Sequence, residues 1–319
     1  MSPLAPLVAI LGPTASGKSA LAIEVARRWH GEVLCCDSTQ LYRHFDIGTS
    51  KVHGAGQRGI PHHLMDLLEP HEVFTAGDYR RRALEVLDTL ARRGRLPVLT
   101  AGTGLYLRAL LEGLADAPTR SEELRERLRG RERERGSEYL HRLLARLDPP
   151  SAARIAAADA PKLIRAIEVC FAAGRPMSEV LRRPRRRLEG FQIVKIGLLP
   201  ARAALYERIE RRTHAMLEAG WLDEVRSLVA RGFHAEAKPF QFIGYSELRA
   251  HLAGTVDLET AVRAIQQATR RYAKRQITWF RREGGVEWYE GFGDDPAIME
   301  KVFAMLGARL ERAPAAGGP

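Results

Sequence analysis

Short apolar runs alternate with amphipathic segments over the first hundred residues. Leu7 to Leu11 is an apolar run that leads into a glycine-containing turn, and the segment after it carries a helical apolar face that ends before Gly31. Two further apolar runs, Glu32 to Cys36 and Leu96 to Thr100, lie on either side of an amphipathic segment from Asp78 to Arg93. Strands that alternate with helices predict a parallel sheet covered by helices on both faces.

The pattern changes in the middle of the chain, where charged helical segments follow one another without a convincing strand. Strand character returns at Phe191 to Leu199, and three more helices are predicted at Ala201 to Ala219, Leu222 to Ala230 and Leu258 to Arg282. The prediction is therefore an α/β fold with an all-helical insertion domain. Its regions are a first core part at 1–118, the insertion at 119–190, a second core part at 191–312 and a disordered tail at 313–319.

Composition narrows the class of protein. The chain has 319 residues, of which 45% are hydrophobic and 28% charged, as in ordinary globular proteins. No apolar run approaches the roughly 18 to 20 residues of a membrane helix, and the first residues do not resemble an export signal, so we expect a cytoplasmic protein. Three cysteines without paired spacing indicate neither a disulfide framework nor a zinc site. The net charge of +11 favours a polyanionic partner.

One motif carries specific chemistry. Gly12-Pro13-Thr14-Ala15-Ser16-Gly17-Lys18-Ser19 matches G-x-x-x-x-G-K-[ST] in full, directly after a predicted strand and directly before a predicted helix. The glycines let backbone N–H groups face one anion, Lys18 adds a point charge, and the Ser19 hydroxyl can ligate Mg²⁺. A glycine-rich turn without a ligand is the alternative, and the complete motif with both flanks disfavours it.

The loop alone does not reveal which phosphate compound it binds, so other residues must decide. Asp37 follows the second predicted strand, at the edge of a parallel sheet where ligands bind, and should face the same crevice as the phosphate loop. A carboxylate there can ligate Mg²⁺, accept a proton or cap a helix, and the position favours the first two roles over the third.

Seven motifs together resemble the ordered motif series of bacterial tRNA dimethylallyltransferases, and the match runs from about Leu7 to Tyr289. These motifs are the phosphate loop, Asp37-Ser38-Thr39-Gln40-Leu41-Tyr42-Arg43, Asp46-Ile47-Gly48-Thr49-Ser50-Lys51, Pro61-His62-His63-Leu64-Met65-Asp66, Ala101-Gly102-Thr103-Gly104-Leu105-Tyr106, Ile243-Gly244-Tyr245 and Lys274-Arg275-Gln276-Ile277-Thr278-Trp279-Phe280-Arg281. The resemblance implies a P-loop core. It also implies alkylation, with Mg²⁺, of the exocyclic amine of the adenosine 3′ of the anticodon by dimethylallyl diphosphate.

The same resemblance implies roles for individual residues. The phosphate loop with Lys18 would bind the departing diphosphate, Asp37 would accept the amine proton, and a threonine of the family's active site corresponds to Thr103. Arg212 corresponds to an arginine thought to contact the diphosphate, although an exposed helix residue beside Arg211 is an equally good interpretation of the sequence.

The partner implied is the anticodon stem-loop of tRNA, and the residues implied in binding it form one set along the chain. They are Asp37, Ser38, Thr39, Gln40, Thr103, Arg125, Pro161, Lys162, Leu163, Ile164, Arg165, Gln241, Phe242, Ile243, Gly244, Tyr245, Ser246, Lys274, Arg275, Gln276, Thr278, Trp279 and Arg281. The last helix has an independent argument, because from Arg263 to Arg282 it has seven basic residues, no acidic one, and interleaved aromatics, which favours phosphate contact and base stacking. An amphipathic core helix with solvated charges is the alternative.

Other features leave alternatives open. The basic run Arg182 to Arg187 either contacts RNA or lies in solvent. His62 and His63 would alternate faces on a strand, which favours a structural or pocket-lining role over a metal site. A small-molecule kinase, a prenyltransferase acting on free adenine nucleotides and a non-enzymatic RNA-binding NTPase remain competing hypotheses for the whole chain. A monomer is expected to suffice.

Overall fold

The computed structural model describes residues 4–182, 184–234 and 236–310. Within them, six strands form one sheet in which every pair of neighbouring strands is parallel. The strands are Ala5–Leu11 (β1), Gly31–Cys36 (β2), His62–His63 (β3), Leu96–Ala101 (β4), Phe191–Leu198 (β5) and Val286–Tyr289 (β6), arranged in the order β3-β2-β4-β1-β5-β6.

Helices make up the rest of the regular structure. They are Lys18–Arg28 (α1), Ala76–Arg92 (α2), Gly104–Leu111 (α3), Glu122–Arg135 (α4), Ser137–Leu147 (α5), Pro149–Ala152 (α6), Ala160–Ala173 (α7), Met177–Val180 (α8), Arg202–Glu218 (α9), Trp221–Ala230 (α10), Tyr245–Leu252 (α11), Leu258–Phe280 (α12) and Pro296–Leu310 (α13), with short 3₁₀ helices at Gly54–Gln57 and Lys238–Gln241. Among the described residues, no helix has the length and apolar character needed to cross a bilayer.

The central strands are buried on both faces, as expected for a parallel sheet. Alternate residues of β1 enter two different cores: Leu7 and Leu11 pack in one with Leu34 of β2, whereas Val8 and Ile10 pack in the other with α1 and α13. The predicted parallel sheet with helices on both faces is confirmed.

The chain divides into two compact units, one formed by the residues up to Leu111 together with those from Leu188 onward, and the other by Glu112–Arg187. The second unit contains α4 to α8 and no strand among its described residues, and its core includes Leu140, Leu144 and Leu163. The insertion expected from the sequence covered 119–190, so the compact unit begins and ends somewhat earlier.

Some elements were not predicted from the sequence. Two strands were missed, the two-residue β3 and the four-residue β6, because strands this short carry little periodic signal. The helices α3 and α13 also had no assignment. The tail predicted to be disordered at 313–319 lies outside the described residues, as does Arg183 of the basic run.

Candidate active site

The register of the sheet brings three chain segments together at one edge. Leu11 of β1 and Cys36 of β2 both lie level with Ala101 at the end of β4. The residues that follow are Gly12 of the phosphate loop, Asp37 and Gly102, which consequently begin at the same carboxyl edge of the sheet. A methyl group on Gly102 would overlap the Asp37 Oδ2 atom, so this glycine lets the carboxylate lie against the end of β4.

The phosphate loop is held in a conformation that suits an anion. Ala15 and Gly17 have φ values of 63° and 85°, and α1 begins at the next residue, so the loop delivers the N-terminus of an eleven-residue helix to the site. The segment before α13 holds the loop in place, because the Gly293 N–H donates to the Ser16 carbonyl at 2.8 Å. The Ser16 hydroxyl is buried and has no hydrogen-bond partner in the described part of the chain.

Lys18 is partly buried within this loop. Its Nζ donates to the carbonyl oxygens of Gly12 at 2.9 Å and Pro13 at 2.7 Å. Burial lowers the pKa of Lys18 from 10.5 to about 8, an effect that the charge of Asp37 opposes and that of Arg212 reinforces. An ammonium whose pKa depends on both neighbours lies within electrostatic reach of each of them.

Arg212 reaches the same loop from α9. Its Nη1 donates to the Thr14 hydroxyl at 3.2 Å, and burial, reinforced by the charge of Arg208, lowers the pKa of Arg212. Its side chain lines the cavity at the phosphate loop, whereas Arg211 beside it is exposed. The structure therefore does not place Arg212 as an exposed helix residue.

Asp37 is oriented by its own turn. Its Oδ1 accepts hydrogen bonds from the Thr39 backbone N–H at 2.9 Å and the Thr39 hydroxyl at 2.8 Å, which leaves Oδ2 on the Gly102 side. Thr103 supports the same turn, because its Oγ1 accepts from the Ser38 N–H at 3.0 Å. Two of the predicted site residues, Asp37 and Thr103, are thus connected through Ser38 and Thr39.

Two cavities meet at these residues. A cavity of about 260 Å³ is lined by the loop from Thr14 to Ala20, by Asp37, Gln40 and Arg212, and by residues of β4 and α12. A second cavity of about 320 Å³ shares Thr14, Asp37 and Arg212 with the first and continues to apolar side chains of α9, α10 and α12. The site therefore passes from a cationic, N–H-rich end to an apolar end, with one carboxylate where they join.

Several residues that the resemblance assigned to tRNA are buried and serve the protein interior. Gln276 accepts from the Thr14 N–H at 2.7 Å and donates to the Gly102 carbonyl at 2.7 Å, so it ties the phosphate loop to the end of β4. Tyr245 is fully buried and donates to Glu224 at 2.6 Å. The side chains of these two residues are already engaged within the protein, which gives them a positioning role.

The segment around Tyr245 divides between the interior and the site. Gly244 is buried against a tryptophan of α10, whereas Phe242, Ile243 and Gln241 line the larger cavity. Ser246 is exposed. A direct contact with a substrate is geometrically open to the cavity-lining residues and to Ser246.

The basic helix α12 combines both interpretations that the sequence left open. Lys274, Arg275 and Thr278 of this helix are exposed, as is Arg281 directly after it, whereas the polar residue Gln276 is buried. Its aromatic residues point inward: Phe280 is fully buried, and Trp279 packs on Gly104 with the Arg108 guanidinium 4.8 Å from its ring centroid. Base stacking on Phe280, which the interleaved pattern suggested, is excluded by this burial.

The helical unit contains the remaining predicted contacts. Arg125 and Arg165 both donate to the buried carboxylate of Glu168, at 3.1 and 2.7 Å. Leu163 and Ile164 belong to the unit's core, whereas Pro161 and Lys162 are exposed. The side chains of Leu163 and Ile164 therefore stabilise the core of the unit and are not available to a ligand.

One feature near the site was missed by sequence reasoning. Arg208 forms a two-point ion pair with Asp294, with one N–O distance of 2.7 Å, and lines the cavity at the phosphate loop. No local motif marks Asp294, which comes from the segment before α13.

The His63 ring lies 2.6 Å from Glu32, and no group of three or more potential metal ligands among His, Cys, Asp and Glu occurs in the described ranges.

A phosphate loop between the first strand and first helix of an all-parallel sheet, with a helical unit inserted in the chain, defines a P-loop α/β protein. The chain belongs to the IPP transferase family, whose model matches residues 40–283. That range begins after the phosphate loop and Asp37.

Proteins of known name are similar along nearly the whole chain. A tRNA dimethylallyltransferase of Solibacter usitatus (strain Ellin6076) is 51% identical over 306 residues, covering 95% of this chain and 99% of the relative. The crystal structure of a tRNA isopentenylpyrophosphate transferase from Bacillus halodurans is 36% identical with a TM-score of 0.71, covering 97% and 98% of the two chains. A eukaryotic dimethylallyltransferase acting on tRNA is 25% identical with a TM-score of 0.83, covering 97% and 80%.

Proposed function

We propose that the protein transfers the dimethylallyl group of dimethylallyl diphosphate to the exocyclic amine of the adenosine 3′-adjacent to the anticodon in tRNA, and releases diphosphate. The observation that carries the proposal is the shared cavity of the phosphate loop, Arg212 and Asp37. A leaving-group site and a proton acceptor within one cavity are what an alkylation of this kind needs. The names of the similar proteins agree with this activity.

The phosphate-loop end of the cavity would bind the diphosphate. The loop N–H groups, the start of α1, Lys18 and Arg212 supply fixed positive charge around one anion. Breaking the allylic carbon–oxygen bond places negative charge on the departing diphosphate, so this charge stabilises the transition state more than the bound substrate.

A magnesium ion fits the same end. The Ser19 hydroxyl lines the cavity and the Ser16 hydroxyl is buried without a partner in the described residues, while the absence there of a three-residue acidic cluster favours a metal held mainly by phosphate oxygens. We propose Ser19 as its protein ligand. When bound, Mg²⁺ supplies additional charge neutralisation to the diphosphate.

Asp37 would act at the other side of the reacting carbon. As the adenine nitrogen forms its bond to the allylic carbon, the bond from that carbon to the diphosphate oxygen breaks and the amine proton passes to the Asp37 carboxylate. The hydrogen bonds from Thr39 hold one carboxylate oxygen in place, and Thr103 steadies the turn through Ser38. Proton acceptance by a positioned side chain contributes about 10²–10⁴-fold to such reactions.

The target base must leave its stack to reach this site. Bases in an RNA loop are extruded at a modest energetic cost, which suits an adenosine next to the anticodon. The exposed basic residues of α12, together with Pro161 and Lys162 of the helical unit, are the proposed tRNA contacts outside the cavity.

The competing activity with most support from the site is phosphoryl transfer, because a P-loop lysine also binds ATP. The apolar end of the larger cavity favours an isoprenoid donor instead, because its side chains offer contacts to a hydrocarbon group. A prenyltransferase for free adenine nucleotides would leave the helical unit and the outward basic face of α12 without a role.

The test is incubation of the protein with labelled dimethylallyl diphosphate, Mg²⁺ and unmodified tRNA, followed by nucleoside analysis of the RNA. We expect label on the adenosine 3′-adjacent to the anticodon. A tRNA with guanosine at that position serves as the control and should stay unlabelled. Label on free adenine nucleotides alone, or phosphoryl transfer from ATP without alkylation, would contradict the proposal.

A further inference from the structure

The larger cavity ends at a tryptophan. Along α9, Arg212 lies at the phosphate loop and Met216 follows one turn, about 6 Å, further on. Trp221, the first residue of α10, lines this cavity but not the one around Lys18 and Ser19. Its indole therefore lies at the apolar end, away from the phosphate loop.

This indole is held between two glycines. A methyl group on Gly48 would overlap the ring at Nε1, and one on Gly244 would overlap its six-membered ring. The Tyr245 ring contacts it edge-on at 5.8 Å between centroids. Trp221 is 2% exposed, so the ring has no room to rotate away. The two glycines belong to sequence motifs that the chemistry at Asp37 and the phosphate loop does not explain.

The chain segments that carry these glycines are themselves fixed. Glu224, one turn after Trp221, accepts from the N–H groups of Asp46 at 3.0 Å and Ile47 at 2.8 Å, and from the Tyr245 hydroxyl. Lys51 is fully buried and donates to the carboxylates of Asp46 and Asp66. Separating the buried Lys51 ammonium from these exposed carboxylates is unfavourable, because an unpaired buried charge is costly. The end wall is therefore rigid.

The choice of tryptophan is informative in itself. Its Nε1 is buried and has no hydrogen-bond partner within the described residues, which is an unfavourable arrangement for a polar group. A leucine or phenylalanine would fill an ordinary core without that disadvantage. The position therefore uses the breadth of the indole and not its polarity.

We propose that Trp221 sets the chain-length limit for the isoprenoid donor, an inference that rests on the proposed function. A five-carbon allyl group is about as long as one helical turn, roughly 5 Å, which matches the wall from Arg212 past Met216. A second isoprene unit, as in geranyl diphosphate, meets the indole. Gly48 and Gly244 keep the indole in place and so contribute to the same selectivity.

The experiment compares geranyl diphosphate with dimethylallyl diphosphate as donors to unmodified tRNA, using kcat/KM values and the mass of the modified nucleoside. In Trp221→Ala and Trp221→Phe, the ratio of the geranyl to the dimethylallyl value rises, by at least about tenfold for the alanine variant. Met216→Ala opens a neighbouring part of the same wall and gives a smaller rise, which keeps the test valid if the Trp221 variants do not fold.

Trp288→Phe is the matched control. Trp288 also packs on a glycine, Gly197, but does not line the cavity, so its substitution leaves the donor ratio at the wild-type value. Folded Trp221 and Met216 variants with an unchanged ratio would overturn the inference, as would a wild-type protein that uses both donors equally. A wild-type protein that transfers neither group to tRNA overturns the proposed function itself, and the two failures are thereby distinguished.

Discussion

The cations of the phosphate-loop cavity and those of the helical unit behave differently. Lys18 donates to backbone carbonyls and Arg212 to a hydroxyl, and neither forms an ion pair with an acidic residue in the described part of the chain. In the helical unit, arginines of α4 pair with glutamates on the same helix, and Arg125 and Arg165 share the buried Glu168. Arg208, which also lines the cavity, is paired with Asp294, so Lys18 and Arg212 are the cavity cations without a carboxylate partner in the described part of the chain.

The difference shows where an anion can be bound most strongly. A cation that is buried without a carboxylate partner gains most from an incoming phosphate, whereas a paired cation must first exchange partners. The net charge of the chain does not reveal this distinction. The cavity is thus suited to a tightly held diphosphate, and the helical unit to weaker contacts along an RNA backbone.

Among the cations of the two regions, removal of the Lys18 charge should produce the largest change. Lys18→Met is expected to lower kcat/KM for dimethylallyl diphosphate by about 10²–10³-fold, because a fixed donor to the developing charge is lost. Steady-state kinetics with saturating tRNA measure the effect. Lys301→Met, on an exposed position of α13, is the control and should behave as wild type. An equal loss in both variants would show that the effect does not depend on the position of Lys18 at the cavity.

Arg212 provides the next largest effect. Arg212→Met should lower the same kcat/KM by about 10- to 100-fold, the value of a charge-assisted hydrogen bond to an anion. Its neighbour Arg211 is exposed on the same helix. Arg211→Met removes the same charge outside the cavity, so it is the matched control. If the two variants were indistinguishable, Arg212 would not be part of the diphosphate site.

The pH dependence sharpens the comparison. Because the pKa of Lys18 is lowered to about 8, the free protein loses this charge as pH rises through 8, and KM for dimethylallyl diphosphate should rise up to about tenfold by pH 9. Stability changes in the opposite direction: between about 8 and 10.5 the unfolded chain binds more protons, so this group makes the free energy of unfolding increase with pH.

The Lys18→Arg variant keeps its charge throughout this range. Its KM values should therefore be flat between pH 7 and 9, whatever their absolute level. A wild-type KM that also stays flat would show that Lys18 is charged throughout, and that burial does not lower its pKa as described.

The smallest effect on catalysis is expected in the helical unit. Burial tends to raise the pKa of Glu168, but hydrogen bonds from Arg165 and Ser121 and the charge of Arg125 outweigh it and lower this pKa. Glu168→Gln should reduce the free energy of unfolding by about 3 kcal/mol and raise the KM for tRNA a few-fold, with the KM for dimethylallyl diphosphate unchanged. Thermal melts and steady-state kinetics measure both.

Glu134→Gln provides the comparison on the same unit, because Glu134 forms an exposed pair with Arg131 at 3.3 Å. An exposed pair contributes at most about 1 kcal/mol, so this variant should melt close to the wild type. A Glu168→Gln protein that raises the KM of the diphosphate instead would contradict the separation of the two regions.

Contiguous features of the site were predictable from the sequence. The phosphate loop is a local motif, because its glycines and lysine lie within eight consecutive residues. Asp37 directly follows an apolar run, which shows where the buried strand ends. Parallel strands have their carboxyl ends at one edge of the sheet, so the fold class predicted that the phosphate loop and Asp37 would lie close together. The register in which Leu11 and Cys36 lie level with Ala101 agrees with that expectation.

Non-local features were not predictable in the same way. Gln276 looks like a polar residue on a basic helix, and only the tertiary structure shows that it joins Thr14 to Gly102. The pairing of Arg208 with Asp294 and the slot of Trp221 between Gly48 and Gly244 join residues far apart in the chain. A single sequence contains no periodic signal for such contacts, because they depend on how separate elements pack.

Single-turnover kinetics of Asp37→Asn test most directly whether Asp37 accepts the amine proton while the phosphate loop holds the diphosphate. With saturating dimethylallyl diphosphate and tRNA, the rate of adenosine alkylation should fall by about 10²–10⁴-fold while both substrates still bind, since the amide keeps the shape of the side chain but accepts no proton. An Asp37→Asn protein that alkylates tRNA at the wild-type rate would contradict the account.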